Sequence, residues 1–274
     1  MSELNYIGTE LDLFAAVRNW KSYWSRQLRP FVTGDVLEVG AGIGSNTPYL
    51  DCKGERGQWV CLEPDPRLGV ELVRSLEGAP GPRKYEFVCG TLQSLAAGRK
   101  FDTIVYIDVL EHIENDRGEL LAAASRLRPN GCVIVLSPAH QWLFTAFDAA
   151  IGHYRRYNKS MLRQLTPPAL RAERVSYLDS VGLIASTANK LFLKQSMPTS
   201  AQLELWDRWM IPVSTVLDRL LCYSLGKSIV GIWRKSDIRT RIPSPLGTVT
   251  SRIGSIEQST ATPGASGTTA GTER

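Results

Sequence analysis

Residues 36–44 read Val36-Leu37-Glu38-Val39-Gly40-Ala41-Gly42-Ile43-Gly44. The pattern predicts a buried strand followed by a glycine turn, where the backbone bends sharply and lies close to a ligand. A dinucleotide loop, GxGxxG, would have its last glycine at the position of Ser45. Glu38 would repel a pyrophosphate, and residues 36–50 contain no Lys or Arg. A phosphate-free ligand with a positive group fits this turn better.

Short apolar runs alternate with helical patterns on either side of this turn. The runs are VLEV from 36, WVCL from 59, YEFV from 85, FDTIVYI from 101 and CVIVL from 132, with further strands expected at 175–178 and 228–233. This order predicts an α/β fold with a Rossmann-like, doubly wound, mostly parallel seven-stranded sheet and helices on both of its faces.

Segments outside this repeat have their own patterns. Apolar residues recur at three- and four-residue steps between 10 and 29, which predicts one amphipathic helix. Pro129 and Gly131 are expected to end the helix that begins near Asp116. The expected domains are an N-terminal helical lid (1–33), a core (34–180), an apolar helical insertion or cap (181–226), the last core strand (227–235) and a disordered tail (236–274).

Composition narrows the class of protein. The 274 residues are 43% hydrophobic, which suits one main domain. Five scattered cysteines without a CxxC pair or metal-type His spacing predict no metal site and a reducing, cytoplasmic location. The N-terminus does not resemble a signal peptide, and no run of about 18 apolar residues predicts a membrane span.

The net charge of +5 is local rather than spread along the chain. Between 152 and 174 there are six positive residues and one negative residue, and the remainder is balanced. This distribution argues against a nucleic-acid partner. It favours either a site for one anionic substrate group or a solvated basic helix face.

The glycine turn resembles motif I of class I S-adenosylmethionine (SAM) dependent methyltransferases, hydrophobic-hydrophobic-acid-hydrophobic-Gly-x-Gly-x-Gly. The resemblance implies that the loop packs against SAM, with Glu38 on the cationic amino-acid side. Glu63 then corresponds to the ribose-binding acid, and Thr91 stands where an Asp beside the adenine is common. The cofactor-binding residues implied are Glu38, Gly40, Ala41, Gly42, Gly44, Asn46, Glu63, Pro64, Thr91, Leu92, Asp108 and Val109.

The resemblance also limits the classes of molecule expected to accept the methyl group. The stretch from Tyr106 to Ile113 is similar to the post-strand motif of small-molecule methyltransferases, in which the Asp108 region contacts the methionine amino group. The (D/N/S)PP(Y/F/W) motif of enzymes that methylate base or glutamine nitrogens is absent from this place. The similarity is specific over about residues 36 to 138 and looser to about 235.

Methylation of a hydroxyl needs a general base, for which a neutral histidine is best suited. The chain has His112, His140 and His153. His140 leaves the fifth strand at its carboxyl end and is the first candidate, against the alternative that it only bonds to backbone; His112 is expected on a cofactor-side helix. The candidate catalytic residues are His140, His153, Asp148 and Tyr154, and the candidate substrate-binding residues are Trp142, Arg155, Arg156 and Tyr157.

The segment 152–157 is dense in hydrogen-bond donors, which favours a carboxylate or phosphate site; the alternative is a structural helix start whose arginines pair with surface acids. The predicted function is O-methylation of a small anionic metabolite in a secondary-metabolite, sugar or lipid pathway. Alternatives are N-, S- or C-methylation, or an inactive SAM-binding scaffold. The insertion 181–226 is expected to cap the acceptor pocket, to form a homodimer seam, or to contact a membrane peripherally.

Overall fold

The computed structural model describes residues 15–51, 57–77, 83–193 and 199–236. These residues belong to one compact unit that spans 1–238. The predicted tail, apart from Ser236, and the first part of the predicted N-terminal helix lie outside the described residues.

The predicted seven-stranded sheet is confirmed, in the order β3-β2-β1-β4-β5-β7-β6. The strands β1 to β5 run parallel, and β7 lies antiparallel between β5 and β6. The strands are β1 (Val36–Val39), β2 (Gln58–Glu63), β3 (Lys84–Cys89), β4 (Phe101–Ile107), β5 (Leu127–Pro138), β6 (Leu170–Leu178) and β7 (Ser228–Lys235).

Helices cover both faces of this sheet, so successive residues of the central strands are buried on opposite sides. Val36 packs in one core cluster with Trp24 and Leu72, whereas Leu37 packs in the other with Leu120. The helices before the insertion are α1 (Asn19–Leu28), α2 (Thr47–Leu50), α3 (Pro66–Leu76), α4 (Asp116–Arg126), α5 (Ala146–Ala150) and α6 (Lys159–Gln164).

Two predicted helix boundaries are corrected. The N-terminal helix is not continuous from 10 to 29, because the backbone is non-helical at Val17 and α1 begins at Asn19. Helix α4 ends at Arg126 rather than at the Pro129 turn, and β5 already begins at Leu127. The guanidinium of Arg128 pairs with Asp35, just before β1, and with Asp102, on β4. These two ion pairs draw the segment into the sheet.

The insertion between β6 and β7 is helical, as predicted. It contains α7 (Ser180–Ala188), α8 (Ser200–Leu205) and α9 (Ile211–Leu220), with π-helical segments at Asn189–Leu193 and Trp206–Met210. It packs on α1, where the ring centroids of Trp206 and Trp20 lie 5.7 Å apart. The Tyr23 hydroxyl also donates to buried Asp218 at 2.6 Å. No helix in the described ranges has the length and hydropathy needed to cross a membrane.

Candidate active site

The glycine turn lies between β1 and β4, where the strand order reverses direction. Open α/β sheets collect ligands at the carboxyl ends of strands at such a point. Gly40 has φ +66°, and a Cβ at this position would lie 2.6 Å from a methyl carbon of Val109. Only glycine therefore permits the close approach of the turn to the loop after β4.

Glu63, at the end of β2, holds this turn in place. Its two carboxylate oxygens accept hydrogen bonds from the backbone N–H groups of Gly42 and Asp65, each at 2.9 Å. Burial raises the pKa of Glu63, and the two N–H groups oppose that rise. Each oxygen keeps a second lone pair, so these contacts are compatible with the predicted role toward ribose hydroxyls.

Glu38 lies beneath the turn and is buried. Its Oε2 accepts hydrogen bonds from the hydroxyl of Thr47 at 2.7 Å and from the indole N–H of Trp59 at 2.9 Å. Burial raises the pKa of this carboxyl to about 7. Glu38 is not part of the cavity wall, so its predicted contact with the ligand could only be electrostatic and indirect.

Lys21 is a cation at this turn that sequence reasoning missed. It projects from α1, and its Nζ donates to the Ser45 hydroxyl at 2.9 Å and to the Ser45 carbonyl at 3.2 Å. Burial lowers the pKa of Lys21 to about 8, against the opposing effect of Asp108 and Glu38. The available signal was its position between Trp20 and Trp24 on the apolar part of the helix.

A cavity of about 570 Å³ opens beside the turn. This volume lies within the range typical of small-molecule sites. Its walls come from the turn, α1, the loops after β4 and β5, and the insertion. The predicted site residues on its wall are Gly40, Ala41, Gly42, Asn46, Asp108, Asp148, His153 and Arg156.

Asp108 follows β4 in a left-handed conformation, with φ +54°, and faces the cavity. Removal from bulk water raises the pKa of its carboxyl to about 6, while the charges of His153, Lys227 and Lys21 oppose the rise. The Asp108 carboxylate therefore lies on the cavity wall close enough to Lys21 and Lys227 for their charges to act on it.

Asp148 organises a second part of the cavity wall. Its carboxylate lies 3.0 Å from Nδ1 of His153 and accepts two hydrogen bonds from the guanidinium of Arg156, at 2.7 and 2.9 Å. Thr145 donates to it through both its backbone N–H and its hydroxyl. Burial acts against ionisation, but the bonds from His153 and Arg156 hold the pKa of Asp148 well below its usual range.

Glu111 and His112, in the turn after β4, line the same part of the cavity. Glu111 is fully buried, and burial beside Asp108 raises its pKa well above the usual value. Burial and the neighbouring His153 lower the pKa of His112 to about 4. His112 and His153 meet edge to face, with ring centroids 4.5 Å apart.

His140, the first candidate from the sequence, lies outside the cavity wall. Its Nε2 lies 3.0 Å from the carbonyl oxygen of Gly226, and its ring packs 4.7 Å from that of Tyr177 and 5.7 Å from that of Trp142. The prediction that His140 is a base finds no support in this geometry. Trp142 is half exposed and borders a second, apolar groove beside α7.

Three residues of the donor-rich segment also lie off the cavity wall. The guanidinium of Arg155 pairs with Asp116, and the buried Tyr157 hydroxyl lies 2.9 Å from the same carboxylate. Tyr154 is half exposed, 5.7 Å from Arg155 in a cation–π contact. The segment therefore divides: His153 and Arg156 face the cavity, and the others stabilise the loop.

The expected adenine-side residues lie at the carboxyl ends of β2 and β3. Thr91 is exposed and begins a short 3₁₀ turn that it caps together with Ser94. Leu92 is buried in the core, so its side chain is not available to a ligand. Pro64, Gly44, Glu63 and Val109, like these two, are not part of the cavity wall.

Two further lysines that sequence reasoning did not single out lie on the same part of the cavity wall. Lys227, just before β7, has its Nζ 3.8 Å from the centre of the Trp206 ring and 3.7 Å from the Asp179 carboxylate. Lys190 comes from the insertion, and its ammonium donates to the backbone carbonyl of Trp142. Both line the cavity. Their positions in sequence, far from the glycine turn, gave no signal of this convergence.

Comparison with known proteins agrees with this geometry. The family model described as a methyltransferase domain matches residues 14–185, which is more than half of the chain. A curated relative, the ubiquinone biosynthesis O-methyltransferase of Parvibaculum lavamentivorans, is 28% identical over 145 residues, covering 47% of this chain and 51% of that protein. The chain thus spans about half the length of this relative.

Solved structures share the fold. A putative sarcosine dimethylglycine methyltransferase from Galdieria sulphuraria superposes with a TM-score of 0.53 at 16% identity, covering 80% of this chain and 86% of that one. A SAM-dependent methyltransferase from Clostridium acetobutylicum superposes with a TM-score of 0.51 at 12% identity, covering 85% and 100%. At these identities the likeness concerns the fold alone.

Proposed function

The chain belongs to the methyltransferase-domain family as a class I SAM-dependent methyltransferase, and on that premise we propose that it methylates a hydroxyl group of a small anionic acceptor. One observation carries the proposal: a single cavity joins the glycine turn to the Asp148–His153 pair and to cationic side chains. The cofactor supplies an electrophilic methyl group on a sulfonium; the remaining tasks fall to the residues of the chain.

The residues at the cofactor end fit SAM. The glycine turn lets a ligand lie close to its backbone, Lys21 is the cation beside the turn, and Glu63 is assigned to the ribose hydroxyls. Asp108 is placed for the methionine ammonium and Lys21 for its carboxylate, since the two opposite charges line the same end of the cavity. Such matched pairs orient a zwitterionic group as well as bind it.

At the acceptor end, His153 is the residue proposed to activate the hydroxyl. Asp148 engages Nδ1 and so directs Nε2 away from itself, toward Glu111 and the cavity. This is the arrangement by which a carboxylate fixes the tautomer and orientation of a general base. Methyl transfer then needs the acceptor oxygen to be aligned with the methyl group in a closed site.

An anionic acceptor is favoured by the charge balance of the cavity wall. Arg156 is already neutralised by its two bonds to Asp148. Lys227 is paired less closely: its Nζ lies 3.7 Å from the Asp179 carboxylate and 3.8 Å from the centre of the Trp206 ring, and it also feels the charge of Asp108. We assign Lys227, supported by Lys190, to the acceptor's carboxylate or phosphate.

A lipid-pathway acceptor is the finer proposal, because the curated relative acts as an O-methyltransferase in ubiquinone biosynthesis. The insertion supports it: Trp209, Val213, Val216 and Leu220 follow one helical face and are each more than half exposed. Ile184 and Leu191 are similarly exposed. A face of this kind fits the interfacial region of a membrane that holds the acceptor.

The test is release of S-adenosylhomocysteine from purified protein, SAM and hydroxylated aromatic carboxylates with and without an isoprenoid chain. We expect turnover with at least one of these acceptors, and His153→Gln to lower it by about 10²- to 10⁴-fold, the usual contribution of a general base. His140→Gln is the matched comparison. A large loss in His140→Gln with full activity in His153→Gln would reverse the assignment.

A further inference from the structure

Three potential metal ligands converge on the wall of the cavity. Glu111 and His112 come from the turn after β4, and His153 follows α5 about forty positions later. Their ligand atoms all lie within 4.8 Å of one another, and Oε1 of Glu111 is 4.0 Å from Nε2 of His153. That separation is too long for a hydrogen bond. Two ligands of one tetrahedral ion, each at about 2.1 Å, lie about 3.4 Å apart, so a small shift suffices to share an ion.

Glu111 provides an independent indication of a ligand. It is fully buried, and its Oε2 accepts a hydrogen bond from the hydroxyl of Ser137 at 2.8 Å. Its Oε1 is buried and has no hydrogen-bond partner among the described residues. An unpaired buried carboxylate oxygen is costly, and native structures rarely leave one without a function or a bound group. This oxygen is the one that faces His153.

Asp148 supplies the outer contact that a metal-binding histidine needs. In protein metal sites the other ring nitrogen of a ligating histidine usually donates to a carboxylate or a carbonyl, which orients the ring. Here Asp148 lies 3.0 Å from Nδ1 of His153 and is itself anchored by Arg156. The exposed fraction of the His153 side chain is 8%, so the ring has little freedom to turn.

We propose that Glu111, His112 and His153 form a binding site for a divalent cation of the Zn²⁺ or Fe²⁺ class. Two imidazoles and one carboxylate are a ligand set of catalytic sites for such ions, in which a further coordination position stays open. All three residues line the cavity, so that position faces the acceptor. The sequence-based expectation of no metal site considered spacing along the chain and overlooked ligands brought together from two loops.

The chemistry of this site rests on the proposed function, although its binding test does not. An acceptor hydroxyl bound to the cation loses its proton to water more readily, because the ion stabilises the oxyanion. The oxygen lone pair then forms the bond to the methyl carbon as the carbon–sulfur bond breaks, and S-adenosylhomocysteine leaves. In this arrangement Nε2 of His153 is a ligand of the ion, so the ion, and not His153 acting as a base, activates the hydroxyl.

Binding is measured by calorimetric titration of untagged, chelator-treated protein with Zn²⁺ and by the visible absorption of added Co²⁺, both without SAM or acceptor. We expect one ion per chain, at least 30-fold weaker binding in Glu111→Gln and in His153→Asn, and 10- to 100-fold weaker binding in Asp148→Asn. Glu114→Gln, in the same turn but exposed and outside the cluster, is the matched control and should bind like wild type.

Circular dichroism and SAM affinity report whether each variant is folded. Absence of saturable binding in wild type, or equal binding in folded Glu111→Gln and His153→Asn, overturns the metal site. Methyl transfer at full rate by chelator-treated protein without a bound ion would refute the ion's part in activating the acceptor and leave the proposed function standing. Ion binding without methylation of any acceptor in the panel would leave the metal site standing and count against the proposed function.

Discussion

Lys21 shows how one side chain can set cofactor affinity from outside the main motif. Its buried Nζ donates hydrogen bonds to the hydroxyl and the carbonyl of Ser45, and it lies at the end of the cavity proposed for the methionine carboxylate. We expect Lys21→Met to weaken SAM binding by about 10- to 100-fold, the size of one charge-assisted hydrogen bond. Calorimetry measures this change, and 5′-methylthioadenosine, which lacks the amino-acid part, should bind both proteins equally.

The pH dependence at this residue has a definite sign. Because burial lowers the pKa of Lys21 to about 8, the ammonium loses its proton as the pH rises through that value. Wild-type affinity for SAM should therefore fall on the alkaline side of about pH 8. The difference in binding free energy between wild type and Lys21→Met should shrink over the same range. A constant difference from pH 7 to 9 would contradict the role of Lys21.

Among the elements, α1 is capped at its N-terminus by a residue of the insertion rather than by a residue of its own. The carboxylate of Asp207 accepts hydrogen bonds from the backbone N–H groups of Arg18, Asn19 and Trp20, at 3.1, 3.1 and 2.8 Å. Arg18 offers no capping side chain of its own. A cap supplied from a distant segment links the helix to the insertion as they close over the cavity.

Asp207→Ala should lower the free energy of unfolding by about 1 to 2 kcal/mol, since it leaves the first N–H groups of α1 without a cap. Urea denaturation measures this loss. Glu204→Ala is the control, because the Glu204 side chain is exposed and its partner Arg208 is 3.9 Å away. Equal stability of the two variants would show that the cap contributes nothing.

At the scale of the whole molecule, the exposed apolar face of the insertion is the surface feature for which we predict a binding partner. We expect the protein to sediment with vesicles of phosphatidylcholine and phosphatidylglycerol, and Trp209→Ser with Leu220→Ser to lose most of this binding. Leu121→Ser removes an exposed leucine from α4, away from the insertion, and is the matched control. Static light scattering without lipid tests the alternative, that the face binds a second copy of the chain. A wild-type dimer that dissociates when Trp209 and Leu220 are changed would support this alternative.

Much of the fold and the cofactor end could be predicted from the chain alone. Val36 to Gly44 combine a strand, a turn and an acid within nine residues, and each property depends on neighbours in sequence. The strand pattern around them predicted the sheet, because burial on both faces requires continuous apolar runs. The helix boundary at Val17 was wrong because the next residues bond to Asp207 of the insertion. The boundary at Pro129 was wrong because Arg128 pairs with Asp35, before β1, and with Asp102, on β4.

The acceptor end was decided by tertiary structure. His140 and His153 look equivalent in sequence, yet one ring bonds to the backbone of Gly226 and the other meets Asp148, Glu111 and His112. Lys21 and Lys227 reach the same cavity from opposite ends of the described chain. Local patterns record which residues are buried or turning, whereas the identity of neighbours across a cavity depends on long-range packing that no spacing along the chain encodes.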